Sequence, residues 1–317
     1  MNSRLNKLSY FLKIASEDEP FIPRLSPEEE SMLGAERPGS SFKHTPSDVF
    51  NKIRERTLER RRNMLPELEP GEVLITPGET LDALKNNPKI LEWFEYIRGF
   101  VIPENYKYVV MVPCSASKPW GELSSPGSAK YYKSYWDVIK NLREDEKDNL
   151  VYWVTVSEPL GIVPQDNWDN FPAYDNPGLF RDPAQRSGLF TRDWKELYGE
   201  KYILPFDEKA REEAIQILGD VIGDFFQRNN IPGRKWISLV GGTKGKVSTH
   251  TEMIDIALNF LEKGGCEIPL TRKPKMVDAL GRPSRSGITE YTEESIRELL
   301  NKESRLNNLL YFLKISL

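Results

Sequence analysis

Apolar positions change their period along this chain, and the changes mark its elements. Val109 to Val112 form an unbroken apolar run inside YKYVVMVP, the pattern of a strand buried on both faces. Residues 149–156 (NLVYWVTV), 201–206 (KYILPF) and 235–240 (KWISLV) predict three further strands, and 266–270 (CEIPL) a fifth. Between them the period lengthens. Ala210, Ala214, Ile217, Leu218, Val221, Ile222, Phe225 and Phe226 recur at helical spacing over 208–229. THTEMIDIALNFLEK predicts a helix from Thr249, and residues 129–142 another. From Thr80 the chain predicts a helix, a proline break, and an amphipathic helix carrying Ile90, Leu91, Trp93, Phe94 and Ile97. Strands alternating with helices predict the α/β class, here a three-layer sandwich around a mostly parallel sheet of four to five strands, with helical arms. This core spans residues 80–270.

The flanks read differently. Residues 3–14 (SRLNKLSYFLKI) recur at 304–315 (SRLNNLLYFLKI), differing only at Lys7/Asn308 and Ser9/Leu310. Each copy has an amphipathic helical pattern. Two copies are too few for a solenoid, so each is a helix packed on the body or a docking tag for a protein partner. Residues 17–48 are acidic and then rich in Pro, Gly and Ser, which predicts a linker or extended arm within an N-terminal region of residues 1–79. VFNKIRERTLERRRNML predicts a helix whose Arg54, Arg56, Arg60, Arg61 and Arg62 could meet phosphate. Glu55 and Glu59 interleave with them, as on a solvated face. The C-terminal region, 271–317, opens with Arg272, Lys273, Lys275, Arg282 and Arg285 against a lone Asp278, a basic tail. Residues 165–192 lack a period but hold Trp168, Phe171, Tyr174, Phe180 and Phe190, an aromatic content that argues for order.

Composition narrows the function classes. The chain has 317 residues and a net charge of −4, so any pull toward nucleic acid is local. Nothing approaches the run of about 18 apolar residues that a membrane helix needs, and the N-terminus is too polar for a secretory signal. No membrane contact is expected. Cys114 and Cys266 are far apart in sequence, which argues for a reducing, cytoplasmic setting. Neither they nor His44 and His250 have metal-ligand spacing, so no metal is predicted, and no cofactor.

In parallel sheets ligands bind beyond the carboxyl ends of the strands. Three turns belong there: PCSASKPW, SEPLGIVP and GGTKGKVSTH. In the first, small residues such as Ser115 let a ligand approach the backbone. Lys118 is a candidate amine nucleophile or anion holder, and Trp120 a stacking face. Cys114 is a packed thiol or a nucleophile, and no histidine lies near it in sequence to activate it. In the second turn Ser157 and Glu158 are the side chains able to move protons. Leu160 and Gly161 shape its bend. The third offers Gly241, Gly242, Lys244 and Lys246 to an anion at a helix N-terminus. It fails the strict phosphate-loop pattern, because Val240 and Val247 stand where Gly and Ser or Thr are required. His250, at the helix start, reads as a cap or core residue as readily as an acid.

These stretches, with NNPKILEWFEYIRGF before them, resemble the core domain of archaeosine synthase, an archaeal relative of tRNA-guanine transglycosylase. The family hallmark begins P-C-x-x-x-K-P-Y. Pro113, Cys114, Lys118 and Pro119 match it, and Trp120 replaces Tyr. The family's S-x-P-L-G-x-V-P run is matched by Ser157, Pro159, Leu160, Gly161, Val163 and Pro164. The resemblance covers residues 85–263, with QDNWDNFPAYD, ending at Asp175, inside it. It implies a sandwich similar to uracil-DNA glycosylases. It also implies amidinotransferase-like chemistry, in which an amine donor such as lysine adds to the nitrile of a 7-cyano-7-deazaguanine base in nucleic acid. Cys114 and Lys118 would be catalytic, with Ser157 and Glu158. Trp120, Asp175 and the small residues Ser115, Ser124 and Ser125 would bind substrate. The hallmark continues to a Ser and a His, but here the chain runs GELSSPGS with no His. Full-length family members also carry a transglycosylase-like barrel, for which 317 residues leave no room. That implies a stand-alone core working with a partner, or a virus-encoded relative acting on DNA in a host cytoplasm. Two other classes compete: a non-catalytic nucleic-acid-binding module of the same fold, and a structural or packaged protein docked by its terminal helices.

Overall fold

The structure is a computed structural model. It describes residues 21–34, 46–62, 68–114, 151–168, 171–172, 174–186, 204–238, 240, 248–268 and 270–272. The terminal repeats, the helix expected at 129–142 and most of the basic tail lie outside the described residues. Two compact units emerge. The first comprises the described parts of Met1–Gly99, Glu158–Gly161 and Asn170–Ile222, and the second those of Phe100–Ser157, Ile162–Asp169 and Gly223–Leu317.

The first unit opens with α1 (Pro27–Gly34), α2 (Pro46–Arg62), α3 (Pro77–Asn86) and α4 (Pro88–Gly99). Helix α1 falls where a linker was expected. The sequence SPEE accounts for it: the Ser26 hydroxyl accepts from Glu29 N–H and the Glu29 carboxylate accepts from Ser26 N–H, a reciprocal cap. Glu29 is itself buried. Its carboxylate also accepts from Gly78 N–H at 2.9 Å and Thr76 Oγ1 at 2.8 Å, pinning α1 to the start of α3. Burial raises the Glu29 carboxyl above the ordinary carboxylate range, and these bonds oppose the rise. Helix α3 has its own capping box between Thr76 and Glu79. Arg54, expected to meet phosphate or solvent, pairs instead with Glu79 and donates to Val73 O at 3.2 Å. Its side chain is half-buried, with the guanidinium over the ring of Phe50 one turn earlier in α2.

Among the described residues of the aromatic segment, Trp168, Tyr174 and Leu179 are buried. Asp175 exchanges backbone hydrogen bonds with Glu72 and Leu74. The short helix α5 (Pro183–Arg186) delivers Arg186, whose buried guanidinium donates to the carbonyls of Leu204 and Pro205 and lies over the Phe206 ring. Those carbonyls are thus taken by a side chain, and Leu204–Phe206 form no strand, contrary to the sequence expectation. Residues 201–203 lie outside the described residues. Helix α6 (Glu208–Asn229) follows, capped by the Asp207 carboxylate, and matches its expected span.

In the second unit lies a five-stranded sheet in the order β3-β2-β1-β4-β5. The strands are β1 (Tyr108–Pro113), β2 (Val151–Ser157), β3 (Gly161–Pro164), β4 (Lys235–Ser238) and β5 (Leu270–Arg272). β1 pairs in parallel with β2 and with β4, and β4 with β5. β3 is joined to its neighbour β2 by only three residues, Glu158–Leu160, too short for a crossover, so it runs antiparallel. The sheet is therefore mixed, which corrects the expectation of a mostly parallel one: SEPLGIVP is half turn and half edge strand. The expected fifth strand also shifts. Residues 266–268 are irregular and pairing begins at Leu270, after Pro269, which has no N–H to give a ladder. Helix α7 (Thr249–Lys263) starts at the expected residue, capped by the Ser248 hydroxyl. Among the described residues no helix is long and apolar enough to cross a membrane.

Two polar side chains set the start of the central strands. Asn229, at the end of α6, accepts from Ile102 N–H at 2.7 Å and donates to Phe100 O and Phe225 O. The Arg234 guanidinium donates to the carbonyls of Tyr106, Asn229, Ile102 and Pro103. Arg234→Met leaves these four acceptors without their donor. It is expected to lower stability by about 2–4 kcal/mol in urea unfolding, with less than half restored by Arg234→Lys, whose ammonium lacks the planar fork. A loss below about 0.5 kcal/mol for Arg234→Met would show that water replaces the guanidinium.

Candidate functional site

Cys114 follows the last residue of β1. Its N–H donates to Val156 O at 2.9 Å, extending the parallel ladder one step and setting Cys114 alongside the end of β2. Ser157, buried, closes β2. On the other side β1 pairs with β4, after which the chain returns as α7. The first turn of α7 carries His250, and its Nε2 lies 3.3 Å from Cys114 Sγ. Residues 136 apart in sequence thus meet beyond the carboxyl end of the central strand. Cys114 is half-buried and His250 buried, at 8% exposure.

A sulfur and an imidazole nitrogen at this separation can exchange a proton, and both are donor types that a zinc-type ion accepts. The second cysteine does something else: Asn230 Nδ2 lies 3.6 Å from Cys266 Sγ, and Cys266 is half-buried like Cys114.

The remaining candidates divide as follows. Glu158, Leu160, Gly161 and Asp175 belong to the first unit. Glu158 is buried and joined to Pro159 by a cis peptide bond. Leu160 is held by its carbonyl, which accepts from Trp93 Nε1 at 3.0 Å. Gly161 has φ of 71°, in the left-handed region where glycine is favoured. Asp175 serves the backbone bridge to Val73. Ser115, Lys118, Trp120, Ser124, Ser125, Gly241, Gly242, Lys244 and Lys246 lie outside the described residues. The residue that sequence reasoning undervalued is His250. Its signal was positional: it opens the helix after a strand parallel to β1, which brings it back to the same sheet edge.

No family model matches the chain, and no solved structure does. The chain is 28% identical over 92 residues to the archaeosine synthase subunit alpha of Thermoplasma acidophilum; the match covers 28% of this chain and 16% of that protein.

Gly161→Ala tests the backbone of the β2–β3 turn. A Cβ there meets Val221 at an ordinary 3.5 Å, so the cost comes from the positive φ. The expected loss is about 1–2 kcal/mol by urea unfolding. A neutral result would show that the turn relaxes to negative φ.

Proposed function

We propose that this protein takes part in modifying 7-deazaguanine-type bases in tRNA or DNA, by an archaeosine synthase-like addition of an amine to the base nitrile. The observation that carries this reading is the Cys114–His250 contact of 3.3 Å, made by the cysteine of the P-C-x-x-x-K-P run. The 28% identity over 92 residues to an archaeosine synthase subunit supports it independently of geometry. In this reading the fold belongs with the glycosylase-like sandwiches.

The roles follow from residue chemistry. Cys114 meets the electrophilic carbon. Lys118, four residues on, holds the substrate's anion or serves as an amine near it. Ser157 and Glu158 supply and take protons during the addition of the amine. Trp120 stacks on the base, and Ser115, Ser124, Ser125, Leu160, Gly161 and Asp175 shape its seat. Gly241, Gly242, Lys244 and Lys246 hold backbone phosphate before α7. The amine donor is lysine or a similar primary amine. A protein partner is recruited through residues 3–14 and 304–315.

Mass spectrometry of nucleosides from cells with and without this protein tests the reading. A modified 7-deazaguanine nucleoside is expected only where the protein is present. Lys118→Ala and Cys114→Ser are each expected to lower it by about 100-fold or more while the circular dichroism spectrum is unchanged. Identical nucleoside profiles with and without the protein would refute the assignment. Retained binding to nucleic acid alongside such identical profiles would identify a binding module instead.

A further inference from the structure

The hallmark that this chain resembles ends in a histidine that the chain lacks after Trp120, and only two histidines, His44 and His250, occur in the whole sequence. His250 is the one set against the hallmark cysteine. We propose that Cys114 and His250 form a proton-transfer pair in which Cys114 is the nucleophile and His250, supplied from α7, is its proton acceptor and donor.

Three observations support the pair. The Sγ–Nε2 separation is 3.3 Å, within reach of direct proton transfer. Both partners are fixed by backbone structure: Cys114 N–H is bonded to Val156 O, and α7 is capped at Ser248 two residues before His250. His250 is buried and Cys114 half-buried, so Cys114 is the more exposed residue of the two. The first turn of α7 also favours negative charge placed beside it, as the thiolate requires.

The chemistry balances without a redox partner. The Sγ–H proton passes to Nε2, and the thiolate adds to an electrophilic carbon. With a nitrile, a C–S bond forms, one C–N π bond breaks, and the nitrile nitrogen takes the proton back from Nε2–H. This last step rests on the function proposed above; the reactivity of the pair does not.

The test uses the full chain and iodoacetamide, with no nucleic acid. Alkylation displaces iodide from carbon by sulfur, and peptide mass spectrometry follows Cys114 and Cys266 separately. Cys266, also half-buried but beside Asn230, is the internal reference. At about pH 6.5 a free thiol of pKa about 8.5 is only about 1% thiolate, so a paired Cys114 is expected to react about tenfold faster than Cys266 or more. His250→Gln is expected to bring Cys114 down to the Cys266 rate and leave Cys266 unchanged. Equal rates at the two cysteines of the unaltered protein would overturn the proposal, whatever the variant's stability. So would a fast Cys114 that keeps its rate in a folded His250→Gln. Fast, His250-dependent alkylation with unchanged nucleosides in cells would uphold the pair and remove the base-modifying role. The reverse result would remove the pair alone.

Discussion

A guanidinium has five N–H groups to satisfy, and in Arg234 four backbone carbonyls receive them. Those carbonyls come from the end of α6 and from the segment that leads into β1, and Arg234 stands one residue before β4. A rigid planar donor therefore sets where two adjacent strands begin. Lys235 N–H then donates to Lys107 O at 2.8 Å, and the parallel register follows as Tyr108 with Lys235 and Met111 with Ser238. Because side chains alternate along a strand, a slip of one residue would move every side chain of β1 to the opposite face of the sheet. Fixing the start of β1 fixes its end, and Cys114 follows directly.

The first unit is organised by buried charge as well. Glu29 joins α1 to α3, Glu79 caps α3 and holds Arg54 of α2, and Arg186 takes up carbonyls that have no strand partner. Burial lowers Arg186 to about 10, still well above neutrality, so it remains a cation. Gly78 shows how close these contacts are: a Cβ there would fall 2.2 Å from the Glu29 carboxylate. Removing one member of such a cluster leaves the other charge buried and unmatched, which is why these residues hold the unit's segments together more firmly than surface pairs do.

The candidate site shows the reach of a parallel sheet. Cys114 lies in a recognisable run, and its chemistry depended on an activating group that the neighbouring sequence does not supply. The group is His250, 136 residues away. Each parallel crossover returns the chain to the same edge of the sheet, so residues far apart in sequence accumulate there. His250 alone, at a helix start, has no feature that separates a cap from a catalytic base.

The sequence by itself determined the elements whose apolar period is long or unbroken. Helix α6 and helix α7 stand at their expected residues, and β1 and β2 are buried as their apolar runs require. Propensity and period act locally and are therefore legible locally. Tertiary structure decided what depends on partners. It made a strand of Gly161–Pro164, placed at the edge beside β2, and withheld one at Leu204–Phe206, where Arg186 takes the carbonyls. It paired a half-buried Arg54 with the buried Glu79 carboxylate. It also set Cys114 against His250, since a proton can pass only between atoms that the fold brings within hydrogen-bond distance.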